Sequence, residues 1–240
     1  MQIKIDDPQE FGRLLEALAD EMVSACNHFR LFSDLKAARK KYSKELNQSW
    51  TFWYLTFKAH LDAALFRLCK IYDQHSSSLN LINLLDTIKA NIHIFDVQHF
   101  RERLKDNPFV ESLASSSKKP DLGQLEEDIN FVSEANPPVK TLVFWRQKYF
   151  AHISARHVAK NRNLADHYSL NFKEIEKLLK EGMSILNRYS SLFHANRYLP
   201  QIVGHDDYLN ILEAIKTVLN QQEEEYDREM ELVNKLSKEK

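Results

Sequence analysis

The segment FWRQKYFAHISARH, residues 144–157, holds two guanidinium groups, a phenol and two imidazoles within a few positions of one another. On a continuous α-helix, Arg146 and His152 stand about 120° apart around the axis and about 9 Å along it. Tyr149 falls midway between them, and Arg156 lies near the same face if the helix runs that far. Phe144, Trp145 and Phe150 supply apolar bulk to anchor the flank. The chemistry within reach of such a strip is cleavage of an RNA phosphodiester. An imidazole that titrates near neutral pH can take the proton of a 2′-hydroxyl. A guanidinium can bind the phosphate and offset charge growing on its oxygens. The 2′-hydroxyl is an internal nucleophile, so this route calls for no metal. Two strips facing each other across a symmetric dimer would make a fuller site than one.

The spacing does not select this segment by itself. Arg162 with His167 and Arg188 with His194 repeat it, and an exposed Arg with a His at a helix C-terminus is an ordinary structural arrangement. Other chemistries lack their residues. Four glycines in 240 positions leave no phosphate-binding glycine loop. Neither a G-x-S-x-G elbow nor an H-E-x-x-H zinc motif occurs. Cys26 and Cys69 lie in apolar helical patterns without metal-ligand spacing and read as buried reduced thiols. His205-Asp206-Asp207 reads as a loop and helix cap. No metal and no cofactor is expected.

A formal net charge of -1 excludes binding to nucleic acid through bulk charge, although a local basic strip is compatible with it. No apolar run has membrane-spanning or signal-peptide length, so a soluble, cytoplasmic chain without membrane contact is expected. Scarce glycine and proline, with 43% hydrophobic residues, predict an all-α bundle with an ample core. Asp7-Pro8 opens a helix through Cys26. A shorter helix, 29–44, carries the basic run KAARKKYSK. Residues 47–73 form an aromatic-rich helix covered on several sides, interrupted by His60 and Asp62, which are candidates to face the same groove. Ser78 caps the next helix, after a serine-rich loop. Weaker helices follow at 96–105 and 121–134, and Asn136-Pro137-Pro138 opens a helix over 138–155. Residues 171–194 are cleanly amphipathic, and apolar positions at three- and four-residue steps from 206 onward predict a C-terminal helical arm.

Arg146-Gln-Lys-Tyr-Phe-Ala-His152 resembles the R-x4–6-H signature of the HEPN superfamily (higher eukaryotes and prokaryotes nucleotide-binding), in the form found in its abortive-infection branch. The stretch LCKIYDQHSSSLNLINLL is similar to that branch's helix, Asp, Ser-rich loop and leucine-rich helix. The resemblance covers about residues 45–195. It implies a helical HEPN-like domain over 1–200, followed by the arm at 205–240. It further implies a homodimer whose motif helices face each other, and a metal-independent ribonuclease of a toxin–antitoxin or antiphage system. Arg146 and His152 would be the catalytic pair, RNA the partner, and an antitoxin or regulatory protein a further one. Gln147, Lys148, Tyr149 and Arg156 are the secondary candidates for contacting RNA. Ser154 stands where one subgroup carries a modified tyrosine, which argues against that arrangement. Two alternatives remain open: a non-catalytic nucleotide- or RNA-binding module of the same fold, and a helical interaction protein.

Overall fold

Asp7 accepts the Glu10 N–H at 2.8 Å, and Glu10 in turn accepts the Asp6 N–H at 2.7 Å. Those bonds satisfy donors that the first turn of a helix leaves open, and α1 runs from there over Pro8–Ala38. The computed structural model describes residues 2–116, 119–150 and 170–238, with the backbone alone at 116, 149 and 150. Among the described residues nine further α-helices follow: α2 (Ser43–Asn47), α3 (Trp50–Ile71), α4 (Leu81–Ala90), α5 (Val97–Arg103), α6 (Val110–Ser116), α7 (Leu122–Val132), α8 (Pro137–Trp145), α9 (Phe172–His194) and α10 (Tyr208–Lys238). A short 3₁₀ turn, Ile92–Phe95, precedes α5, and a π-helical turn, Arg146–Phe150, follows α8. No strand occurs among the described residues, and the protein is all-α.

The chain divides into two compact units, one of residues 1–27 with 63–201 and the other of 28–62 with 202–240. In the first, Phe11, Leu15, Leu18 and Met22 of α1 are buried together with Leu68 and Tyr72, Leu84, Leu85 and Ile88, and Leu178, Leu186 and Tyr189. Phe11, Phe95 and Phe193 meet edge-to-face at centroid distances of 4.8–5.6 Å, a geometry worth about 0.5–1.5 kcal/mol per pair beyond burial. Asn171 and Glu174 form a reciprocal capping box that starts α9. Gly182 lets α9 pass close to its neighbours, since a Cβ there would run into the Met22 methyl and lie 2.8 Å from the Tyr72 hydroxyl. That hydroxyl is committed to the Leu178 carbonyl at 2.6 Å. Gly182→Ala should therefore destabilise the fold by about 1–3 kcal/mol in a denaturant titration, even though alanine is the better helix former.

In the second unit, Phe29, Phe32, Leu35, Tyr42, Leu46, Trp53, Phe57 and Leu212 are buried. Here α10 is tied to the α1–α2 region by Lys41 with Glu213 at 3.2 Å, by Lys44 with Glu223 at 2.8 Å, and by the Tyr42 hydroxyl on Glu213.

Four expectations change. The segment read as a separate helix over 29–44 continues α1 as far as Ala38, because Phe29, Phe32, Leu35 and Ala38 extend the same buried stripe. The aromatic helix is covered on fewer sides at its start than expected: Trp53 is buried there, while Trp50, Phe52, Tyr54 and Leu55 are 41–61% exposed. Ser78 does not cap α4; Asn80 does, accepting the Asn83 N–H at 2.8 Å. A helix that the sequence reading lacked, α6, fills part of the interval before α7. The membrane expectation finds support to this extent: no helix among the described residues is long and apolar enough to cross a bilayer.

Candidate functional site

Asp73 follows the end of α3 with its side chain only 4% exposed. Burying a carboxylate this far requires partners for its charge and lone pairs. One oxygen accepts the Gln74 N–H at 2.9 Å, and the other accepts the Ser78 hydroxyl at 2.8 Å. The loop that presents Ser78 is held from below by two buried asparagines. Asn80 donates to the His75 carbonyl and to Ser78 Oγ at 3.1 and 3.0 Å. Asn83 donates to the His75 and Ser78 carbonyls at 2.9 and 2.8 Å. Gln74 reaches across to the Val132 carbonyl at the end of α7, at 3.0 Å. A serine-rich loop that would otherwise be loosely held is thus clamped around one carboxylate.

The oxygen that accepts the Gln74 N–H also meets the start of the motif. Pro137 and Pro138 occupy the first turn of α8, where a missing N–H does no harm. The helix buries Val139, Leu142 and Val143 and ends at Trp145. From Arg146 the backbone takes π-helical pairing, a device found often at functional positions. The α-helical phase assumed between Arg146 and His152 therefore does not extend over Arg146–Phe150, and His152 lies outside the described residues. Arg146 Nη1 lies 3.0 Å from Asp73 Oδ1, and the arginine side chain remains 39% exposed. A guanidinium has five N–H donors, so this ion pair fixes its direction while leaving donors able to meet an anion.

Beneath the pair, Cys69 Sγ donates to the Leu142 carbonyl at 3.4 Å. Burial pushes its thiol up to about 12, with nearby Asp73 adding to the rise and Arg146 opposing it. Cys69 is a packed thiol here and not a nucleophile. Cys26, also free, is raised by burial to about 11.

Of the remaining candidates, Gln147 and Lys148 are exposed on the π turn. The Tyr149 side chain, His152 and Arg156 lie outside the described residues, as do Arg162 and His167. The third spaced pair serves packing instead. Arg188 and the Tyr189 hydroxyl both engage the buried carboxylate of Asp128. His194 packs on Phe193 with ring centroids 4.5 Å apart, and burial lowers its pKa. His60 sits 2.9 Å from His28, nitrogen to nitrogen, and Asp62 pairs with Lys58 at 2.8 Å. Sequence reasoning named Asp73 and the serine loop only as a pattern. Their coupling to Arg146 was carried by a signal that went unused: a run of polar residues, Asp73, Ser78, Asn80 and Asn83, set inside otherwise apolar flanks. Among the described residues no cluster of three His, Cys, Asp or Glu is placed to hold a metal ion.

A family model described as AbiU2, of the HEPN class, matches residues 8–218. The chain belongs to the AbiU2 HEPN family. No curated protein and no solved structure matches it. The matched region of this HEPN chain takes in α3, the serine loop, α8 and the π turn, so the Asp73–Arg146 pair lies within the family's own span.

Proposed function

We propose that this AbiU2-type HEPN protein is a metal-independent endoribonuclease of an abortive-infection or toxin–antitoxin system. The observation that carries the reading is the Arg146 guanidinium, aimed by a buried carboxylate and still 39% exposed at the start of a π turn. In the proposed reaction His152 removes the 2′-hydroxyl proton, and the 2′-oxygen attacks the adjacent phosphorus. The bond to the 5′-oxygen breaks and that oxygen takes up a proton, leaving a 2′,3′-cyclic phosphate and a 5′-hydroxyl. Arg146 binds the non-bridging oxygens as their charge grows, in the way that preorganised donors act elsewhere. Gln147, Lys148, Tyr149 and Arg156 flank the scissile phosphate and contact the RNA. Two copies bring their motif segments together as a homodimer, which acts in the cytoplasm and is restrained there by an antitoxin or regulatory protein.

The test is cleavage of a defined RNA pool by the purified protein in excess chelator, beside His152→Ala. The parent should yield cyclic-phosphate ends, and the variant should be slower by about 10²–10⁴-fold, the usual contribution of a general base. Binding of RNA by the parent without turnover would reassign the site to a non-catalytic binding module. Equal cleavage by parent and variant would remove His152 from the reaction.

A further inference from the structure

The proposed cleavage moves two protons, one off the 2′-oxygen and one onto the 5′-oxygen. In an in-line displacement the attacking and leaving oxygens stand on opposite sides of phosphorus. An imidazole at the 2′-oxygen, the place given to His152, does not reach the 5′-oxygen as well. An alkoxide is a poor leaving group without a proton, so a second donor has to come from elsewhere in the site.

The surroundings of Arg146 narrow the choice. Asp73 is buried and holds its charge against the guanidinium. Cys69 is a packed thiol, and the Tyr72 hydroxyl is committed to the Leu178 carbonyl. His75 is different. It stands two residues beyond Asp73, at most about 7 Å from it along the chain, and its side chain is exposed. An imidazole is also the side chain suited to exchanging protons near neutral pH.

The backbone beneath this exposed ring is held more firmly than a surface loop needs. The His75 carbonyl receives the Ser78 N–H at 3.2 Å and the Asn80 and Asn83 amides at 3.1 and 2.9 Å. Both asparagines are buried. Ser78 Oγ, which binds Asp73, lies 2.9 Å from the same carbonyl. One hydroxyl therefore touches both the carboxylate that aims Arg146 and the residue that carries the imidazole. The ring is oriented too. The Ser77 N–H approaches His75 Nδ1 at 3.3 Å, and the Ser77 hydroxyl lies 2.9 Å from it. A backbone N–H only donates, so Nδ1 is the acceptor of the neutral ring and its proton sits on Nε2. In the imidazolium, Nδ1–H turns onto the Ser77 oxygen, and Nε2 still carries a proton to give.

We propose that His75 is the general acid of the cleavage, giving its Nε2 proton to the 5′-oxygen as the phosphorus–oxygen bond breaks. The inference rests on the nuclease reading above. The electron pair of that bond leaves with the 5′-oxygen, which becomes the hydroxyl. His75 is left neutral and His152 is left as an imidazolium; one proton exchanged with water at each restores both.

The experiment gives the full chain two RNAs in excess chelator. One is an all-oxygen strand; the other has sulfur in place of the 5′-bridging oxygen at a step the parent cleaves. A thiolate leaves without a proton, because thiols ionise near pH 8.5. His75→Ala should cleave the oxygen strand about 10²–10⁴-fold more slowly than the parent and the sulfur strand at close to the parental rate. His152→Ala should stay slow on both, since the 2′-hydroxyl proton still has to go. The side chain removed at 75 is exposed, so the urea midpoint should not move. Parental cleavage of the oxygen strand by His75→Ala, or an equal loss on both strands, would overturn the general-acid role. Sulfur rescue of Lys148→Ala and not of His75→Ala would assign the proton to the Lys148 ammonium instead. A parent that cleaves no RNA would sink the nuclease reading, and this inference with it.

Discussion

Arg146→Ala should lower the unfolding free energy by about 2–4 kcal/mol, a large effect for a side chain that is 39% exposed. The cause is the partner. Asp73 is 4% exposed, and without the guanidinium its charge keeps, among the described residues, the Gln74 N–H and the Ser78 hydroxyl. The expected loss falls below that of a fully buried pair because water reaches the arginine side. Adding Asp73→Asn should restore a good part of the stability: the amide still accepts from Gln74 N–H, and its NH2 can donate to Ser78 Oγ. Cleavage should not return. Both variants should cleave RNA about 10²–10³-fold more slowly than the parent, the size of effect seen when one charge-stabilising donor is removed. Urea titrations of the parent, both single variants and the double variant separate the two roles as a thermodynamic cycle. An Arg146→Ala protein as stable as the parent would show the ion pair to be idle; parental cleavage by the double variant would take Arg146 out of the reaction.

Arg188→Ala should give the opposite pattern. It too should lose about 2–4 kcal/mol of stability, because Asp128 is buried and relies on Arg188, with the Tyr189 hydroxyl at 2.7 Å and Gln124 at 3.2 Å completing its shell. Its RNA cleavage per folded molecule should be unchanged. The two segments have the same Arg-to-His spacing, so the pair of variants asks whether spacing or surroundings confers function. A loss of cleavage in folded Arg188→Ala as large as that in Arg146→Ala would point to surroundings being irrelevant and would sink the assignment of Arg146.

The helical class was legible because few glycines and prolines punctuate the chain and apolar stripes repeat at three- and four-residue steps. Helix starts with local signals were legible as well: Asp7 caps α1, and Pro137 and Pro138 fill the first turn of α8. What escaped was whatever depended on partners distant in the chain. Ser78 has the chemistry of a cap, but Asp73 claims its hydroxyl, and Asn80 takes the capping role. The aromatic run at 50–55 has the composition of a core, yet all of it but Trp53 is exposed, since composition does not say how many sides of a helix are occupied. The π turn at Arg146 left no pattern to read, because a change in hydrogen-bond register alters no residue type. Arg146 itself stood out, while the carboxylate that orients it lies 73 positions earlier and was visible only as part of a resemblance.

The second compact unit is assembled from residues 28–62 and 202–240, with all of 63–201 intervening. During synthesis its first half therefore leaves the ribosome long before α10 exists to offer Glu213 and Glu223 to Lys41 and Lys44. The Asp73–Arg146 pair belongs to the other unit and is complete in the nascent chain earlier. Translation order thus sets a delay: the carboxylate that aims Arg146 can be in place while the second unit still waits for its last helix.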